Sequence, residues 1–117
     1  MRRRGLIGLM MLFPASSAAA HAFLEHANPP AGSEVATPPS EISLSFTEGV
    51  EPLFSTIEVH GPDNATIRVG KLHIVSDNRR LVVELPKLPS GTYTVIWHVT
   101  SVDTHKTEGS YRFTVMH

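Results

Sequence analysis

The chain has 117 residues, of which 41% are hydrophobic and 18% charged, and it holds no cysteine. This is the length of one small globular domain, with neither a disordered nor a collagen-like composition. Without thiols it can form no disulfide, Fe–S cluster, cysteine nucleophile or blue-copper centre. The formal charge of −1 becomes −4 once Arg2, Arg3 and Arg4 are set aside. That excludes the basic footprint of a nucleic-acid binder and the polybasic run of a membrane-surface protein.

Those arginines open a predicted export signal covering residues 1–20. They form a positive start, Leu6 to Phe13 an apolar stretch broken by Pro14, and Ala18-x-Ala20 a small-residue cleavage site. The apolar stretch is too short for a membrane-spanning helix. Cleavage after Ala20 leaves residues 21–117 as one domain with no span of its own, beginning at His21. The free α-amine and the imidazole of that residue then form a chelating pair that the precursor lacks. A metal displaces the amine proton near neutral pH, because an unperturbed α-amine titrates at about 7.7–8.0.

The rest of the chain reads as strands in order. Phe23 to Ala27 is an irregular first candidate. Ile42, Leu44 and Phe46 then alternate in Glu41–Phe46. Phe54 to Val59 follows, with Ile57 and Val59 in phase and Phe54 out of phase, which predicts a bulge. Ile67 to Val75 is a further candidate. Leu81, Val83 and Leu85 alternate next, then Tyr93, Val95, Trp97 and Val99, and finally Tyr111, Phe113 and Val115. Period-two alternation marks half-buried strands. The runs are separated by turn-forming segments such as Asn28-Pro29-Pro30-Ala31-Gly32 and Gly61-Pro62-Asp63-Asn64. No segment carries a helical period with caps. About seven short strands predict an all-β Greek-key sandwich or small barrel.

All seven histidines lie beyond the signal. Asp103-Thr104-His105 follows the strand that holds Trp97. In extended backbone, residues two apart face the same way, so Asp103 and His105 can present an oxygen and a nitrogen to one ligand. With His21 the donors are one amine, two imidazoles and one carboxylate. A square N/O set of this kind suits Cu(II), and less strongly Ni(II); Zn(II) uses the same donors tetrahedrally. His26, His60, His73, His98 and His117 are read as non-ligands, with His26 the first exception if there is one. Trp97 is read as a core residue.

A series of stretches in fixed order carries a resemblance. They are His21-Ala22-x-Leu24, Asn28-Pro29, Gly32-Ser33, Leu44-Ser45-Phe46-Thr47-Glu48 and Phe54-Ser55. The longest runs from Gly91 through Tyr93, Trp97, Asp103 and His105, with Gly109 and Phe113-Thr114-Val115 after it. Through them residues 21–117 resemble the CopC copper-binding proteins of bacterial periplasms. The resemblance implies a cupredoxin-like or immunoglobulin-like fold and one Cu(II) held at His21, Asp103 and His105. It sets Glu48 beside the metal, where its carboxylate would orient an imidazole; a surface glutamate at a strand end explains Glu48 equally well. It further implies a periplasmic monomer that is not an enzyme and acts in copper storage, transfer or tolerance. A CopD-type inner-membrane copper transporter is the expected partner. The chain departs from some members in having a single methionine after the signal, Met116, so no soft Cu(I) cluster is expected. It also carries His98 where the family often has arginine, on the strand face opposite Trp97.

Two other readings account for part of the pattern. A terminal-histidine chelate also serves oxidative copper enzymes of the histidine-brace type, but Asp103 would occupy a coordination position that oxygen needs. A metal-free immunoglobulin-like interaction module explains the strands and leaves His21 and Asp103-Thr104-His105 as coincidence.

Overall fold

The computed structural model describes residues 22–75 and 77–116. Nine strands form two sheets among these residues. They are β1 (Leu24–Asn28), β2 (Glu34–Val35), β3 (Glu41–Phe46), β4 (Thr56–His60), β5 (Thr66–Ile67), β6 (His73–Val75), β7 (Arg80–Glu84), β8 (Gly91–Thr100) and β9 (Lys106–Val115). One sheet has the order β1-β3-β7-β6 and the other β2-β9-β8-β4-β5. All pairings are antiparallel except β2 with β9. The chain crosses repeatedly from one sheet to the other, which makes an all-β sandwich as the alternation predicts.

The alternating residues fill the space between the sheets. Ile42, Leu44, Phe46, Leu81 and Val83 come from the first sheet, and Val59, Tyr93, Val95, Trp97, Val99, Phe113 and Val115 from the second. Nearly all are fully buried. Burying each such side chain contributes about 1.5–3 kcal/mol, so the core, with no cross-link, holds the fold. Trp97 is in it as expected, edge-on to Phe46 with ring centroids 6.4 Å apart and tilted against Tyr111 at 6.4 Å. Its cross-strand partner is Gly109. A Cβ there would come within 2.6 Å of the indole Cη2, so only a hydrogen leaves room for the ring.

Three local features differ from the sequence expectation. The bulge expected near Phe54 is a single 3-10 turn, Pro52–Phe54, that leaves Phe54 exposed ahead of β4. A register shift lies instead in β1 between Leu24 and His26, and it lets both Leu24 and Ala27 pack against the core three residues apart. The run from Ile67 to Val75 is two strands in different sheets, β5 and β6. Between them Gly70 donates its N–H to the Glu84 carbonyl at 2.7 Å as the chain crosses over. That split, with the two-residue β2, accounts for nine strands where seven were expected.

Candidate metal centre

The longest strand pair sets the site. β8 and β9 run antiparallel over ten residues each and are joined by the loop 101–105. Ser101 donates its N–H to the His105 carbonyl at 2.8 Å, and Thr104 donates its N–H to the Ser101 carbonyl at 2.8 Å. Thr104 takes φ +74°. This is a three-residue hairpin loop closed by a left-handed residue, at a position where a β-branched side chain is strained.

The loop brings Asp103 and His105 together. The His105 Nδ1 and Asp103 Oδ1 lie 3.3 Å apart, and both side chains remain about half exposed. The Ser101 hydroxyl donates a short hydrogen bond to the same Asp103 oxygen and accepts from the His105 N–H at 3.2 Å. The Ser101 bond, then the His105 contact, hold the Asp103 carboxyl below its usual range, because both stabilise the ionised form.

Two further segments meet this loop. Val102 donates its N–H to the Gly49 carbonyl at 3.0 Å, and Val50 bridges Ser101. The loop is thus tied to the segment that contains Glu48. The start of the described chain is tied in as well. Phe23 donates its N–H to Thr47 Oγ1 at 3.0 Å, and Thr47 returns its own N–H to the Phe23 carbonyl at 2.9 Å. The Thr107 hydroxyl donates to the Ala22 carbonyl at 2.8 Å across 85 positions of sequence. Ala22 itself is buried. The first described residue is therefore pinned two residues beyond His105.

Of the sequence-predicted ligands, Asp103 and His105 are adjacent, and His21 lies outside the described residues. Glu48 is half-buried on the neighbouring segment. Among the described residues no three histidine, aspartate or glutamate side chains converge, so Glu48 does not join the pair in such a group. The remaining histidines sit elsewhere. His26 is exposed on β1 in register with Ser45. His60 pairs with Glu58 at 3.2 Å, and that hydrogen bond raises its pKa above the ordinary value. His73 is exposed on β6. His98 is exposed opposite Trp97 and faces Glu108 at 3.6 Å, as the alternation predicts. His117 is outside the described residues. Sequence reasoning does not single out Ser101 or Thr107. Ser101 lies inside the longest stretch that carries the resemblance but with no role assigned there, and otherwise each is marked only by a spacing of two from Asp103 or His105, which hydroxyl residues meet by chance in any strand-rich chain.

The model of the CopC domain family matches residues 24–116. Protein YobA of Escherichia coli (strain K12) is 46% identical over 98 residues, covering 82% of this chain and 79% of that protein. Copper resistance protein C of Escherichia coli is 34% identical over 122 aligned positions, covering 94% and 93% respectively. The crystal structure of CopC from Methylosinus trichosporium OB3b superposes with a TM-score of 0.75 at 35% identity, covering 81% of this chain and 93% of that one.

Proposed function

The chain belongs to the CopC family, and from that premise we propose that it is an exported, periplasmic protein that binds one Cu(II) ion as cargo. Residues 1–20 are then the signal removed on export. The α-amine and imidazole of His21, the Asp103 carboxylate and the His105 imidazole hold the ion. Copper is stored or handed on as part of tolerance or supply, by a monomer, to a CopD-type inner-membrane transporter. No turnover is assigned to it.

The single observation that carries this reading is the bond from the Thr107 hydroxyl to the Ala22 carbonyl. Residue 21 is one peptide bond from Ala22, and consecutive Cα atoms are about 3.8 Å apart. The bond supports the reading because it holds the residue that follows His21 against Thr107, two positions along the chain from His105. The donor chemistry fits as well. The described pair supplies one oxygen and one nitrogen on accessible side chains, and the chain has no sulfur ligand except methionine. Nitrogen and carboxylate donors suit Cu(II). Protons compete with the ion for the nitrogen donors, so the affinity falls as the pH drops.

Isothermal titration with Cu(II) tests the assignment on protein beginning at His21 and on protein carrying one added residue before it. The extra residue turns the amine into an amide and is expected to weaken binding strongly; equal affinities would remove the amine from the site. His105→Ala is expected to weaken binding too. A mass spectrum of the exported protein with and without Cu(II) reports the terminus and the stoichiometry together.

A further inference from the structure

The side chain that organises the paired ligands is not itself a donor in the reading above. Ser101 is fully buried, with 0% of its surface exposed, yet its hydroxyl serves two partners that both belong to the site. It donates to Asp103 Oδ1 and accepts the His105 N–H at 3.2 Å. The hairpin needs neither contact. Its closure uses the backbone bonds Ser101 N–H to the His105 carbonyl and Thr104 N–H to the Ser101 carbonyl, which an alanine would make equally well. Ser101 is in turn fixed from the other side by its bridge to Val50. The strained φ of +74° at Thr104 is tolerated between these anchors, as strain persists only where the surroundings over-determine a conformation.

We propose that Ser101 is the positioning residue of the metal centre, its buried hydroxyl holding the Asp103 carboxylate and the His105 backbone in their ligating arrangement before the ion arrives. The proposal rests on the copper reading of the same site. A carboxylate held by a fixed donor and an imidazole carried on a fixed backbone lose little freedom on binding. Partners one step removed from a metal are worth about 10–100-fold in affinity for this reason.

The test is Ser101→Ala in protein beginning at His21, titrated with Cu(II) beside the wild type, with the EPR spectrum of each loaded form. The expected result is a loss of about 10–100-fold in affinity, with a shifted parallel hyperfine splitting because the carboxylate is free to turn. A fold defect alone would leave that splitting unchanged in the folded, loaded fraction. A second measurement needs no variant. In the metal-free wild type the His105 amide is expected to exchange with solvent deuterium far more slowly than an open loop amide. Wild-type affinity and spectrum in the alanine variant, or a His105 amide exchanging at the unprotected rate, overturns the positioning role while the copper reading stands. A wild-type protein that binds no Cu(II) overturns both.

Discussion

Gly109→Ala isolates one packing contact. Gly109 is paired with Trp97 across β8 and β9, and an added Cβ would stand 2.6 Å from Cη2 and 3.1 Å from Cε2 of the indole. Comfortable carbon–carbon contact begins at about 3.5 Å, so the ring must retreat by roughly 1 Å. It has nowhere to go. Trp97 is 9% exposed, with Phe46 and Tyr111 each at a 6.4 Å centroid distance. Overpacking of this kind costs about 1–3 kcal/mol. Alanine also restricts the unfolded chain, which returns about 0.4–1 kcal/mol. The expected net loss is then about 1–2 kcal/mol, and a domain of this size loses about 4–8 °C in Tm per kcal/mol. Urea unfolding followed by fluorescence is the assay, because Trp97 is the only tryptophan in the chain and reports its own displacement. A variant with the wild-type midpoint and emission maximum would falsify the claim that the glycine is there for the ring.

Thr107→Val keeps the shape of the side chain and removes the hydroxyl that holds the Ala22 carbonyl; urea unfolding should show a loss of about 1 kcal/mol, and calorimetry a weaker Cu(II) site. Tyr111→Phe should leave stability unchanged or raise it by up to about 1 kcal/mol, since the Tyr111 hydroxyl is buried without a hydrogen-bond partner among the described residues, where burial also pushes its pKa up. A clear loss of stability would mean that the hydroxyl is satisfied in solution. Thr104→Gly should raise the unfolding free energy of metal-free protein by about 1 kcal/mol, because glycine takes the positive φ of that position without strain; an unchanged or lower urea midpoint refutes the strain. Asp103 gives a pH signature. Its folded pKa lies below the ordinary carboxylate value, so its contribution is fully present above about pH 3.9 and fades as the pH falls through the lowered folded value. The gap in urea midpoint between metal-free wild type and Asp103→Asn should close in that acid window, and a gap that persists below it contradicts the assignment.

Several elements are legible in the sequence. The alternation of Ile42, Leu44 and Phe46 defined β3 to the residue, and Tyr93 to Val99 marked the strand that carries the loop. Asp103 and His105 were legible as a pair, but the extended backbone expected to align them is a hairpin loop with Thr104 at φ +74°, and the buried Ser101 hydroxyl holds both. What failed was the stretch from Ile67 to Val75, whose apolar residues serve two sheets. A strand pattern records that a residue is buried, not which layer buries it.

Alternation and donor chemistry are local properties. They follow from the pleat of a strand and from the atoms a side chain carries, so residue order alone determined the all-β class, the inward-facing core and the candidate donors His21, Asp103 and His105, while the choice of a sandwich over a barrel came from the pairing of the strands into two sheets. Only the folded chain decided that Ala22 meets Thr107 across 85 positions, that Ser101 is buried beneath the Asp103–His105 pair, and that Gly109 makes room for Trp97. Such contacts depend on how two sheets pack and where their loops end. Serine, threonine and glycine carry no mark of that in their own chemistry until the packing brings their neighbours to them.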